Sequence, residues 1–311
     1  MHQNWVGIQA AFLKDEEEKL KKDHSLKSKL GVLVHQAVLH LVPFFVHGTQ
    51  GVGHKTELYG TPYSLSEDIV SSYRMHPLIP DVFDIDGQKV NASDMTNWKA
   101  RGIINRFGIS KLAHAWGHQP PTTLTLHNYP DFLTKIIMPG EDGPRSMAVI
   151  DILRDRERGM VRYNQARRQY GLQAAGGSED ITDNADLVEE LRSVYKSVED
   201  VDFLVGCLAE SPRPSGYVIS NTAFYVFIIN ASRRILCDRF YQESYNAETY
   251  TAEGLAHVEN TSFKSMLLRH HPELKNSIGD VTNAFMAWTG TADYSKLQPK
   301  TSSGGEGHAE L

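Results

Sequence analysis

The chain has 311 residues, with 32 Lys and Arg against 38 Asp and Glu, for a formal net charge of −6. A chain of this length buries a sizeable core, and no shift in composition marks an internal break, so one domain over residues 1–290 with a disordered tail over 291–311 is expected. Mild acidity without a basic stripe excludes nucleic acid as a partner. The two cysteines, Cys207 and Cys237, stand far apart among apolar residues, which implies neither a disulfide framework nor a thiolate metal site and suits a reducing compartment.

The N-terminus lacks a basic region followed by an apolar core and so does not read as a signal peptide. Residues 13–29 are rich in charge and read as a solvated helix. Leu30 to Val46 is the most apolar run, but it carries His35, Gln36, His40 and Pro43 and is short for a bilayer span. It reads as a buried helix broken near Pro43, with contact to a membrane surface as the alternative, in keeping with a cytoplasmic or membrane-peripheral location. Gly48 to Gly60 reads as a loop, and His35, His40, His47 and His54 are not spaced to converge on a metal.

Ser64 and Glu67 form a capping-box pattern, predicting a helix that runs to Pro77. In that helix Ile69, Tyr73 and His76 share one face, and a phenol and an imidazole there are ordinarily core residues. Asp84 to Trp98 reads as irregular, followed by a helix over about Ile103 to Trp116. His114 and His118 lie four apart, as in some zinc sites, but with no third ligand in view they read as structural. Ala148 to Asn164 reads as an apolar helix entering a charged cluster and ending at Gly159. Gln173 to Asn184 reads as a loop, and Leu187 to Val198 as helix. The longest apolar pattern, Val218 to Phe240, predicts a buried helix capped by Ser220, Asn221 or Thr222. Arg233 and Arg234 sit inside it, where they either pair with acids such as Asp238 or present a guanidinium fork to a carboxylate ligand.

Several stretches together resemble one family. Tyr73-Arg74-Met75-His76-Pro77-Leu78-Ile79-Pro80-Asp81 is similar to the proximal-helix signature of the haem peroxidase and cyclooxygenase superfamily, and within it resembles the fatty-acid α-dioxygenases. Further similar segments are Leu124 to Pro130, Arg154-x-Arg156-x-x-Gly159 with Tyr163-Asn164, Ala231 to Phe240, Tyr245 to Thr251, and Arg269-His270-x-Pro272. The resemblance runs from Met1 to about Trp288. It implies a mainly α, haem-peroxidase-like fold holding haem b, with His76 as the axial ligand of the iron and Tyr73 as the radical residue. Asp151 occupies the position whose side chain hydrogen-bonds the ligating histidine, where a carboxylate would fix the ring's tautomer and raise its electron donation. Arg154 and Arg156 are candidates for holding haem propionates or the local fold, and Arg234 matches the arginine that binds the substrate carboxylate.

The implied activity is α-oxidation of a long-chain fatty acid by O2. A tyrosyl radical takes hydrogen from C2, and oxygen adds to give a 2-hydroperoxy acid. Full-length members carry a preceding half with a distal histidine, further carboxylate-binding side chains and a calcium site, for none of which a counterpart is assigned. The chain therefore resembles the C-terminal part of the catalytic domain, incomplete at its N-terminus. The other readings are a peroxidase or mid-chain oxygenase of the same superfamily, or a non-catalytic remnant that binds lipid or a partner protein.

Overall fold

A computed structural model of the chain describes residues 57–58, 61–62, 65–137, 142–213, 217–241, 243–291, 293 and 297. Ser64, the Leu30 to Val46 run, His35, His40, His47, His54 and most of the expected 291–311 tail lie outside them, while Leu297 within that tail is buried. The chain divides into two compact units, residues 67–226 with 263–311 and residues 1–66 with 227–262.

The smaller unit contains a two-residue antiparallel pairing of β1 (Glu57–Leu58) with β2 (Thr61–Pro62). The larger unit begins at helix α1 (Glu67–Ser72) and then forms a hairpin of β3 (Val82–Ile85) and β4 (Gln88–Asn91). That hairpin corrects the expectation of an irregular segment over 84–98. Its two turn residues, Asp86 and Gly87, have φ of 57° and 73°, the pair of left-handed conformations that lets a two-residue loop follow the twist of the strands. Ile85 and Val90 then point inward and join Phe107, Leu112 and Ala115 of helix α2 (Lys99–His118) in one apolar cluster. Helix α2 is longer than expected at both ends and is kinked at Gly108, whose φ of 76° and ψ of 159° interrupt the helical bonding.

Helix α3 (Met147–Glu157) ends where expected, with Gly159 at φ 71° beyond its C-cap. Next come α4 (Tyr163–Gln169), α5 (Ala185–Val194, capped by Asn184) and α6 (Phe203–Ala209). Helix α6 is the buried centre of this unit: Phe203, Leu204, Gly206, Cys207, Leu208 and Ala209 are all inside, and α1, α3 and α4 pack around it. An apolar sequence on every side requires such a position. Gly206 is needed there because a Cβ would lie 2.3 Å from the Tyr163 ring. The Tyr163 hydroxyl donates to Glu210 Oε2 at 2.9 Å in the same buried layer.

Helix α7 (Asn221–Cys237) starts at Ser220, whose Oγ accepts from the Ala223 N–H at 3.2 Å. Residues 221–226 belong to the larger unit and 227–237 to the smaller. This helix is not buried on every side as expected: Tyr225 and Ile229 are 42% and 41% exposed, while Thr222 and Asn230 are buried. Asn230 is satisfied inside the smaller unit by Ser66, whose Oγ donates to Oδ1 at 2.9 Å. Helix α8 (Ala252–Asn260) follows, capped by Thr251. The chain then re-enters the larger unit at α9 (Phe263–His270). A second apolar cluster of Leu274, Ile278, Val281, Trp288 and Leu297 forms there, with Trp288 N–H bonded to Gly117 O at 2.8 Å.

Two expectations follow. Gly206→Ala should cost about 1–3 kcal/mol through overpacking against Tyr163. Gly87→Ala has open space around its new methyl and should cost only about 1 kcal/mol of backbone strain, and urea midpoints compare the two.

Candidate functional site

The site starts from the way Pro77 ends α1. In a continuing helix the Tyr73 carbonyl would bond the N–H of residue 77, which proline lacks, and the proline ring would crowd that carbonyl. The helix stops earlier still: its last bond is Tyr73 N–H to Ile69 O at 2.9 Å, and the Tyr73 carbonyl accepts from Met75 N–H at 3.0 Å. His76 opens a separate 3-10 turn, His76–Leu78. This corrects the expectation that Tyr73 and His76 share one helical face: a bend separates them. Tyr73 is 60% exposed, whereas the His76 side chain is 31% exposed and its Nδ1 is fully buried.

Behind His76 lies a buried ionic cluster. Asp151 and Asp155 are one turn apart on the inward face of α3, and their side chains are 1% and 5% exposed. Arg74 bridges them, donating from Nη1 to Asp151 Oδ1 and from Nη2 to Asp155 Oδ1 at 3.2 Å. Ser71 donates to Asp155 Oδ2, and the Tyr129 hydroxyl donates to Asp151 Oδ2 at 2.8 Å. The same Oδ2 lies 3.2 Å from His76 Nδ1, close enough for an ion pair but misaligned for a hydrogen bond, so Nδ1 has no hydrogen-bond partner among the described residues. The Tyr129 ring packs at a tilt 5.7 Å from the imidazole. Burial, followed by the charge and hydrogen bond of Asp151, pushes the Tyr129 phenol well above its ordinary range. Burial also raises Asp155, against the pull of Ser71 and Arg74.

Pro77 and Leu78 are pinned from the other side. The Pro77 carbonyl accepts from Thr122 Oγ1 and from Asn128 Nδ2 at 3.2 Å, and Leu78 O accepts from Thr122 N–H at 3.1 Å. The segment that carries Tyr129 is thus tied to the turn that carries His76.

Of the residues singled out in the sequence, His76 and Asp151 are brought together. Arg154 pairs with Glu67 at 3.1 Å. Arg156 makes a two-point contact with Asp202, Nε to Oδ1 at 2.9 Å and Nη2 to Oδ2 at 2.6 Å. Arg162 and the Tyr195 hydroxyl bind the same carboxylate. Burial pushes Asp202 up, but these donors outweigh it and hold the group below its ordinary range. Arg234 is exposed in the last turn of α7 and belongs to the smaller unit, and the Arg233 side chain lies outside the described residues.

His114 is buried against Ser277, and burial with the neighbouring His118 pushes it down to about 4. His118 faces two carbonyls, His114 O at 2.9 Å and Gly290 O at 2.7 Å. Among the described residues no cluster of three or more His, Cys, Asp or Glu could hold a metal ion, and no helix is long and apolar enough to cross a membrane.

Arg74, Tyr129 and Asp155 went unread in the sequence. Arg74 stands inside the Tyr73 to His76 stretch, and the signal for Asp155 is its spacing of four from Asp151. Helix α3 buries this acidic pair while Val149 and Leu153 are 54% and 48% exposed, the reverse of ordinary patterning.

Because Asp202 is held below its ordinary range when folded, it stabilises the fold above the unfolded carboxylate pKa near 4, and this contribution is lost as pH falls through the lower folded value. Asp202→Asn should therefore destabilise the chain at neutral pH by about 1–3 kcal/mol, because the two arginines left behind are half-exposed, with the gap from wild type narrowing below about pH 4 in urea unfolding.

Known proteins resemble the chain in sequence and fold. The family profile described as animal haem peroxidase matches residues 40–284. Alpha-dioxygenase 1 of Capsicum annuum is 38% identical over 255 residues, 75% of this chain and 40% of that protein. Alpha-dioxygenase 1 of Arabidopsis thaliana is 36% identical over 309 residues, 93% of this chain and 45% of that protein. The fatty acid alpha-dioxygenase of Oryza sativa, solved as a tyrosine-to-phenylalanine variant with palmitic acid, superposes with a TM-score of 0.69 at 34% identity, covering 74% of this chain and 41% of that one. The chain thus spans less than half the length of these relatives. With a helical fold, a histidine backed by a buried carboxylate and a profile match across most of its length, the chain belongs to the animal haem peroxidase family.

Proposed function

We propose that this chain is the haem-ligating part of a fatty-acid α-dioxygenase and that His76 is the axial ligand of haem b. The observation that carries this reading is the buried Nδ1 of His76 facing the Asp151 carboxylate. A metal-bound imidazole needs an acceptor on its second nitrogen, and the Asp151 carboxylate, 3.2 Å from Nδ1, needs only a small reorientation to become one, with Nε2 on the opposite edge of the ring left for iron. The carboxylate favours the Nδ1–H tautomer and increases electron donation by the ring. The haem, when bound, supplies the oxidising power that removes an electron and a proton from a tyrosine. Tyr73 is that tyrosine: its phenol is exposed, close in sequence to the ligand, and free to meet a substrate carbon.

The substrate class follows from the relatives, one of which was solved with palmitic acid. In this chain Arg234 would bind the acid headgroup through its planar donor fork, and Tyr73 would take hydrogen from C2 before O2 adds there. Product analysis separates this reading from peroxidase or mid-chain oxygenase activity, since only oxygenation at C2 gives a 2-hydroperoxy acid.

Adding haemin to the purified chain should give a Soret band that His76→Ala weakens strongly; a band indifferent to that change would overturn the ligand assignment. Oxygen uptake with palmitate should fall by at least about 100-fold in Tyr73→Phe. In Arg234→Ala the KM should rise by about tenfold or more, as expected for a lost charged hydrogen bond. Uptake unchanged in Tyr73→Phe would exclude the radical role.

A further inference from the structure

We propose that Arg74 is a positioning residue for His76: its guanidinium, clamped between Asp151 and Asp155, fixes the rotation of Asp151 so that Oδ2 faces the His76 Nδ1. For its bearing on haem this rests on the reading of His76 as ligand, and its geometry stands apart from that reading. Asp151 could turn about its side-chain bonds and offer either oxygen to either neighbour. Arg74 occupies Oδ1, and the Tyr129 hydroxyl approaches Oδ2 at 2.8 Å from the side of its own ring, which leaves Oδ2 as the oxygen presented to the imidazole.

A planar guanidinium spanning two carboxylates one helical turn apart has little freedom, because moving toward one acid stretches the contact to the other. Arg74 is also two residues from His76 in the chain, so the clamp that orients the carboxylate holds the turn carrying the imidazole at the same time. Lysine at this position would keep the charge but, as a point donor, would not hold both acids in a fixed plane.

The test uses the full chain with 15N-labelled histidine. Without haemin, the ring 15N shifts of His76, assigned by their loss in His76→Gln, report the ratio of the Nδ1–H to the Nε2–H tautomer. Asp151→Asn should lower that ratio by about threefold to tenfold, the effect of removing a negative charge 3.2 Å from Nδ1. The double variant Arg74→Met with Asp155→Asn removes one positive and one negative charge, so the net charge around Asp151 is kept. It should lower the ratio in the same direction by at least half as much on a logarithmic scale, while Asp155→Asn alone, which keeps Arg74 on Asp151, should lower it by less than the double variant does.

With haemin bound and reduced, the iron–histidine stretching band should move to lower frequency in both Asp151→Asn and the double variant. Circular dichroism checks folding. If the double variant does not fold, Arg74→Lys decides, with an intermediate ratio expected. A wild-type ratio in the double variant or in Arg74→Lys, where Asp151→Asn shifts it, would overturn the proposal. Failure of the ligand reading looks different: the Soret band is then indifferent to His76→Gln while the tautomer ratio still responds to Arg74.

Discussion

The arrangement depends on one guanidinium between two buried carboxylates. Asp151 and Asp155 share a helix face one turn apart, and like charges at that spacing repel, more so when desolvated. Arg74 brings a single positive charge to the pair and ties the end of α1 to the middle of α3. Loss of one member of such a buried group ordinarily costs about 3–5 kcal/mol, because the others are left charged and dry. The rise in Asp155 reflects the same balance, with burial outweighing a single bridging cation and one hydroxyl.

The charged run that follows Asp151 is divided by helical geometry rather than left in solvent as a block. Arg154 reaches Glu67 at the start of α1, and Arg156 reaches Asp202 at the entry to α6. Helix α3 is thereby fastened on both sides of its acidic face, to the helix that leads into His76 and to the buried helix at the centre of the unit. Asp202 does not cap α6 through its side chain; it is committed to Arg156, Arg162 and Tyr195 instead. The apolar packing of α6, with Gly206 under the Tyr163 ring, gives this fastening a rigid base.

Local rules read well where local bonding decides: Gly159 ends α3, Ser220 caps α7, and Pro77 closes the stretch after Tyr73. They mislead where the consequence of a residue is felt elsewhere in the chain. Pro77 leaves the Tyr73 carbonyl without its helical donor, Arg74 turns in to the acids of α3, and α1 stops at Ser72, so the shared face of Tyr73 and His76 does not form. The hairpin at Asp86-Gly87 was legible, since the Asp-Gly pair sits between alternating apolar and polar residues, but the polar composition of the stretch masked it. Arg74 was the least legible. An arginine beside a polar turn is ordinarily solvated, and its burial follows only from a pair of acids some eighty positions away.

The bend between Tyr73 and His76 has a consequence for the proposed chemistry. On one continuous helical face the phenol and imidazole would compete for the same surroundings, either both buried or both open. The bend gives each its own environment: Nδ1 of the imidazole is enclosed against Asp151 and Tyr129, and the Tyr73 phenol is open. A ligand that donates strongly to iron needs a fixed anionic acceptor and little competing water, whereas a residue that takes hydrogen from a substrate carbon needs access to it. Pro77 rules out a continuous helix through His76, and the buried Arg74 between the two residues holds the bend in place.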